Sequence, residues 1–301
     1  MMLDCAIIGG GPAGLSAALV LGRARRKVLL FDADRPRNSV SSASHGFLSR
    51  DGIEPAMLKS IAQKDLLQYP SVAIKQTEVV HVKKNDKHFV IVAMDKGVYL
   101  AKKVILATGI KEVLPNLTGL KSFYGKSVFS CAYCDGWELR DKQLAIFSGH
   151  PGTLQLIKIL SNWSKNLIVC TNGNKPLDEE TKVSLQSKGI KVYEEKIAKL
   201  FGDNGQIKIV HFENGLEAQI EGGFVSPEWC HPGSLAKGLG CKQTEKGGMI
   251  TDSMGRTNII GVYAAGDNTI VSPSQIAIAA GDGSRTAIGV NIDLTNEEFI
   301  L

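Results

Sequence analysis

Apolar residues run unbroken through positions 5–8 and 28–31, and positions 15–21 between them carry the spacing of a packed helix. That pattern predicts a buried strand, a helix and a second buried strand. The rhythm then changes. Positions 73–75, 79–83, 89–93 and 98–100 alternate like half-buried strands, whereas 104–107 read as a fully buried one. Pro115 and Gly119 punctuate a linker. A second α/β region opens near Lys126, with strands expected at Leu144–Phe147 and Leu167–Cys170 and a helix at Thr153–Leu160. It closes near 247–250, ahead of a strand at 261–265 and a helix from about Ser274. The C-terminal half loosely repeats the opening architecture, with no short-period repeat. The final stretch, NIDLTNEEFIL, is acidic and apolar and reads as a helix end or a contact segment.

Composition narrows the function classes. A chain of 301 residues suits two domains, each with its own core. Its 32 glycines exceed average usage, as expected where backbone packs closely against a nucleotide. The net charge of +5 comes without a long basic run, which argues against nucleic-acid binding and leaves room for an acidic electron-transfer partner. No apolar run is long enough to span a bilayer. The N-terminus lacks the features of a secretion signal, so a cytoplasmic location is expected, where disulfides are usually transient and catalytic.

The strongest local signal is the opening one. Gly9, Gly11 and Gly14 stand in G-x-G-x-x-G spacing between strand and helix, and Asp32 closes the second strand. Gly9 permits the tight turn, Gly11 lets backbone approach a pyrophosphate, and Gly14 lets helix and strand touch. The helix N-terminus supplies N–H donors for the anion, and Asp32 can accept ribose hydroxyls. A glycine-rich turn without ligand is the bland alternative. The complete order of strand, glycines, helix, strand and acid favours a dinucleotide site. Near the other end, Gly266-Asp267 follows a strand and precedes a helix; an aspartate there could hold the polyol chain of a flavin, with the helix N-terminus toward the ring.

The segments IIGGGPAGLSAA, ILATGIKEVLPNLTG, CAYCDG and GVYAAGD, in this order, resemble the low-molecular-weight thioredoxin reductases over nearly the whole chain. RNSVSSASHGFLSRDG and NWSKNLIVCTNG resemble the branch that includes the dithiol oxidases of gliotoxin and holomycin biosynthesis. The resemblance implies an α/β fold of two Rossmann-like, three-layer ββα dinucleotide-binding domains, the second inserted in the first. An FAD domain would comprise residues 1–113 and 246–301, and the insert 114–245. FAD would contact Gly9, Gly11, Pro12, Ala13, Gly14, Asp32, Asn38, His45, Val79, Thr108, Gly109, Gly266, Asp267, Gln275 and Ile276. A homodimer is also implied, as is rotation of the inserted domain.

The insert of this family normally holds NADPH on a second glycine turn. Here Ser148, His150 and Thr153 stand where the first glycine, the second glycine and the closing small residue belong. A histidine side chain obstructs backbone approach to a pyrophosphate. The family's arginines for the 2′-phosphate are absent from TNGNKPLDEE, where Lys175 is followed by Asp178, Glu179 and Glu180. NADPH binding is therefore doubtful, although a variant loop with unfamiliar contacts stays open.

Cys131 and Cys134 form a C-x-x-C followed at once by Asp135. Zinc would need further ligands, and Cys230, His231 and Cys241 lie far along the chain in no zinc pattern. No metal site is expected. Redox exchange fits the pair. By the resemblance, Cys134 faces the flavin, Cys131 meets the external substrate, and Asp135 moves the accompanying proton. Tyr133 shapes a contact or packs, and Trp137 is read as packing. Cys5 and Cys170 read as buried strand residues. His45 is a candidate proton relay near flavin or thiols, and equally a structural histidine.

The expected activity is that of an FAD-dependent thiol–disulfide oxidoreductase acting on a thioredoxin-like protein or a small dithiol or disulfide. Ferredoxin or flavodoxin would supply electrons in place of NADPH. Alternatives are a dithiol oxidase using oxygen, a conventional NADPH-thioredoxin reductase with a variant loop, and a non-enzymatic flavin redox sensor.

Overall fold

The computed structural model describes residues 2–269 and 274–299. The chain begins β1 (Met2–Ile8), α1 (Pro12–Arg23), β2 (Val28–Asp32), α2 (Pro55–Leu66) and β3 (Val72–Gln76). Next come β4 (Val79–Asn85), β5 (His88–Ala93), β6 (Val98–Leu106) and β7 (Lys111–Val113). The middle of the chain holds α3 (Leu120–Phe123), β8 (Val128–Phe129), α4 (Ala132–Asp135), β9 (Leu144–Phe147), α5 (Thr153–Leu160) and β10 (Leu167–Cys170). It continues with α6 (Glu179–Ser187), β11 (Lys191–Tyr193), β12 (Ile197–Asp203), β13 (Gln206–Phe212), β14 (Glu217–Gln219) and β15 (Gly222–Val225). Last are β16 (Glu228–Cys230), α7 (Ser234–Leu239), β17 (Val262–Ala264) and α8 (Ile276–Glu298).

Two compact units result. The first contains residues 1–39, 46–112 and 229–301; the second contains 40–45 and 113–228.

In the first unit the sheet order is β3-β2-β1-β6-β5-β4, with β17 also on β6. β1 runs parallel to β2 (Cys5 opposite Val28) and to β6 (Ile7 opposite Ile105). The period of two divides β1 between two cores. Cys5 and Ile7 face a cluster that includes Ala17, Leu21, Ala287 and Val290 of α1 and α8. Ala6 and Ile8 face the opposite cluster with Phe89, Ala236 and Met249. α1 and α8 approach closely: a Cβ on Gly283 would lie 2.0 Å from the Ala13 carbonyl oxygen.

Two expectations change here. The short strands foreseen at 98–100 and 104–107 are one strand, β6. The polar pair Lys102-Lys103 that seemed to interrupt it stays in the strand because each ammonium finds carboxylates: Lys102 pairs with Asp4 and Glu298, and buried Lys103 with Glu297. The expected boundary at 246 also differs from the observed division. Residues 229–245 belong with the first unit because Leu235, Ala236, Leu239 and Cys241 pack into its core. Conversely, 40–45 lie with the second unit, outside the 1–113 span.

The second unit has a parallel sheet, β11-β10-β9-β15-β8. One face buries Leu144, Ile146, Val169 and Phe224 with Ile157, Leu160 and Leu185 of α5 and α6. The other buries Ala145, Phe147, Ile168 and Cys170 with Leu200, Val210 and Phe212 of the antiparallel β12-β13-β14. Helices, parallel sheet and antiparallel sheet make the three layers.

Candidate cofactor cleft and redox pair

The first unit carries a cleft of about 430 Å³ at the C-terminal ends of β1, β2, β6 and β17. Gly9, Gly11, Pro12, Ala13, Asp32, Asn38, Val79, Thr108, Gly109, Gly266, Asp267, Gln275 and Ile276 all line it. Gly9 has φ +120°, and a Cβ there would sit 2.1 Å from the Ala107 carbonyl oxygen. A Cβ on Gly14 would sit 1.9 Å from the Gly9 carbonyl oxygen, so this glycine packs the helix onto the turn rather than lining the cleft. Over Gly11, by contrast, a Cβ would meet nothing within 4 Å. That open space above the first turn of α1 is what an approaching anion requires.

Asp32 is buried at the end of β2. Its Oδ2 lies 2.6 Å from Lys59 Nζ, and its Oδ1 accepts the Asp34 N–H at 2.9 Å. Lys59, from α2, also reaches Asp34 at 2.7 Å. Burial alone would lower its pKa, but hydrogen bonds to Asp32 and Asp34 outweigh this and hold it above the ordinary lysine value. The sequence reading missed Lys59. Its signal was a lysine one helix away from two acids at a strand end, which linear spacing does not display.

In the second unit Cys131 and Cys134 are joined by a disulfide. Cys131 is the N-cap of α4, and its Sγ accepts the Cys134 N–H at 3.2 Å. The same donor would stabilise a Cys131 thiolate once the bond opens. Asp135 ends α4, one residue beyond Cys134, and is half-buried. Tyr133 packs edge-on against Trp163 at 5.5 Å yet remains 65% exposed. Trp137 is not a packing residue: it is 65% exposed, with the Arg140 guanidinium 4.2 Å from its ring centroid. It lies in the turn that follows α4, with its ring on the surface. His45 does not line the cleft. It belongs to the unit that holds the disulfide, with Nε2 3.6 Å from Glu138 Oε1.

The second turn, after β9, is closed on itself. Ser148 and Thr153 are buried, and their hydroxyls lie 2.8 Å apart. Thr153 Oγ1 also donates to the His150 carbonyl at 2.6 Å, and the Gly152 N–H donates to His150 Nδ1 at 3.0 Å. Asn174 Nδ2 donates to the Thr171 carbonyl at 2.9 Å and fills the space beside Gly149, where a Cβ would come within 2.5 Å of it. Asp178 caps α6 by accepting the Thr181 N–H, and contact with Thr181 holds its carboxyl below the usual range.

The free thiols divide by burial. Cys5 and Cys170 are buried, and burial pushes both pKa values far up, which makes them inert; Cys230 is exposed. His231 buries both ring nitrogens without a hydrogen-bond partner among the described residues. Among those residues no cluster of metal ligands occurs, and no helix is long and apolar enough to cross a membrane.

The sequence pattern of the pyridine nucleotide-disulphide oxidoreductases matches residues 3–283. The chain belongs to that family. Thioredoxin reductase sirT of Leptosphaeria maculans is 30% identical over 96% of this chain and 94% of its own. A probable thioredoxin reductase of Arthroderma benhamiae is 37% identical, but that match spans 57% of this chain and 44% of the relative's length. Among solved structures, a putative thioredoxin reductase TrxB from Bacillus anthracis superposes with a TM-score of 0.95 at 43% identity, covering 99% of this chain and 100% of that one. The chain is thus a disulfide oxidoreductase of the thioredoxin reductase type, with two dinucleotide-binding domains.

The family implies a bound flavin, FAD, and the cleft fits one. It has a glycine cradle with open space above a helix N-terminus, an acid at the end of β2, and a second acid, Asp267, beside the start of α8.

Proposed function

We propose that this protein passes electron pairs between FAD in the cleft of the first unit, the Cys131–Cys134 disulfide and an external dithiol or disulfide, and that NADPH does not charge it. Gly9, Gly11, Pro12 and Ala13 would receive the FAD diphosphate, Asp32 the adenosine ribose, and Asp267 the polyol chain, with Asn38, Val79, Thr108, Gly109, Gln275 and Ile276 along its length. When bound, the flavin supplies two-electron exchange with the thiol pair.

The protein's own steps are those of thiol–disulfide exchange. An external thiolate attacks Cys131 Sγ; the Cys131–Cys134 bond breaks, a mixed disulfide forms, and Cys134 leaves as thiolate. The second external thiol attacks its partner sulfur and releases Cys131. The external dithiol is then oxidised and the cysteine pair reduced. Asp135, beside Cys134, carries the proton in either direction. A thioredoxin-like protein supplies a dithiol of this kind, as the names of the relatives suggest, and so does a small dithiol metabolite. Reduced ferredoxin or flavodoxin is the proposed source of electrons when the flow runs toward disulfide reduction.

The observation that carries the NADPH claim is the closed second turn. The Ser148 and Thr153 hydroxyls and the Gly152 and Thr153 N–H groups are engaged within the turn, so binding a pyrophosphate there would mean breaking those bonds first, with no arginine nearby for the 2′-phosphate. Anaerobic stopped-flow spectroscopy tests it. Excess NADPH should leave the flavin band near its oxidised intensity, while dithiothreitol or reduced ferredoxin bleaches it. Rapid bleaching by micromolar NADPH would remove the claim.

A further inference from the structure

We propose that Arg37 is a positioning residue for the flavin cleft: it neutralises Asp267 and turns one carboxylate oxygen of that residue toward the cofactor. This rests on the reading that the cleft holds FAD. Side chains from three segments distant from it in sequence meet on the one guanidinium. Nη1 donates to Glu112 Oε1 at 2.9 Å, and Nη2 donates to Asp267 Oδ2 at 3.1 Å and to Ser274 Oγ at 2.5 Å. The Trp229 ring lies beneath it, its centroid 5.4 Å from the guanidinium carbon. Arg37 and Asp267 both line the cleft.

Geometry and charge lead to the same role. Ser274 Oγ also donates to Asp267 Oδ2, at 2.5 Å. The side-chain donors that Asp267 meets among the described residues therefore gather on Oδ2, and Oδ1 is left for a ligand hydroxyl. The guanidinium is a rigid fork, so this direction is set before the ligand arrives. The two carboxylates it joins are largely buried, with 10% of the Glu112 side chain and 16% of the Asp267 side chain exposed. Asp267 lines the cleft where a cofactor bearing a dianionic diphosphate would bind, and Glu112 directly follows Lys111, which lines it too. Without Arg37 the two carboxylates would repel each other and the ligand in a partly dry setting, where such repulsion is poorly screened.

The experiment measures FAD release from the purified full-length holoprotein after dilution, followed by recovery of flavin fluorescence, at several salt concentrations. Arg37→Met should release FAD about tenfold faster than wild type, roughly the scale of one lost coupling. Added salt should narrow that difference, and Arg37→Met/Glu112→Gln should recover part of it. Arg37→Lys, with the charge but not the fork, should fall between wild type and Arg37→Met. A wild-type release rate in Arg37→Met overturns the proposal; so does faster release that neither salt nor the Glu112 change relieves, since that describes a loosened fold. Should Arg37→Met fail to fold, Arg37→Lys decides alone: faster release supports the role and a wild-type rate ends it. A wild-type protein that takes up no FAD would instead defeat the reading of the cleft itself.

Discussion

The two strand–turn–helix elements of this protein, β1-α1 and β9-α5, share a plan and differ in what the turn leaves unsatisfied. In the first, glycines bring backbone to within contact of backbone, and the space over Gly11 stays open. In the second, Ser148, His150 and Thr153 bond to one another and to the main chain. Both helices still pack their apolar faces, Leu15 and Leu21 in one unit and Ile157 and Leu160 in the other. Packing needs only the apolar face of the helix, whereas an anion site needs free N–H groups at its start. A fold element can therefore persist after its ligand site has closed.

The largest expected effect asks whether chemistry depends on the pair in the unit with the closed turn. Cys134→Ser should retain FAD yet lose at least about a thousandfold in dithiol turnover, because no internal disulfide can form. Turnover near wild type would remove the redox role. The next contrast is between the turns themselves. Gly14→Ala forces a Cβ against the Gly9 carbonyl and should cost about 1–3 kcal/mol and most of the bound flavin. Thr153→Ala deletes a hydroxyl from the closed turn and should cost about 1 kcal/mol with flavin content unchanged. Flavin absorbance per protein together with thermal melting measures both; equal flavin loss in the two variants would erase the distinction between the turns.

Much of this was legible in sequence. The opening strand, the glycine turn and the end of β2 at Asp32 could be read because each depends on neighbours within about thirty residues. What could not be read depends on partners from far along the chain. Lys102 and Lys103 looked like a break between two strands until Asp4, Glu298 and Glu297 supplied their counter-charges. Residues 229–245 pack into a core formed by strands that the linear order placed in another domain. Arg37 opens a segment that carried the resemblance but received no role, since Glu112, Trp229, Asp267 and Ser274 meet it only in the folded chain. His45 went to the other unit because the chain crosses over at 40–45 and returns, a detour that no composition shift marks.

Opening the closed turn is a smaller and more specific test. Ser148→Gly/His150→Gly/Thr153→Ala removes the side chains that bond the turn shut, and NADPH affinity should rise by about tenfold, the worth of one or two released hydrogen bonds. It should stay weak, since no arginine fork is present for the 2′-phosphate. No change in affinity would mean that the missing charges, rather than the closed turn, exclude the nucleotide.

The smallest effect comes from comparing two histidines. His150 is exposed and accepts the Gly152 N–H, whereas His231 buries both ring nitrogens without a partner among the described residues. Burial lowers the His231 pKa below its ordinary value of 6.5, and the nearby Asp267 charge only partly opposes this. The folded pKa is thus below the unfolded one, so on acidification the unfolded chain takes up its proton first. Stability from this group is unaffected well above pH 6.5, declines as pH falls through that value, and reaches its full loss below the folded pKa. Melting temperatures at pH 7.5 and 5.5 should therefore diverge slightly more in wild type than in His231→Gln. An equal pH response in wild type and His231→Gln would show that the buried imidazole is not the group being titrated.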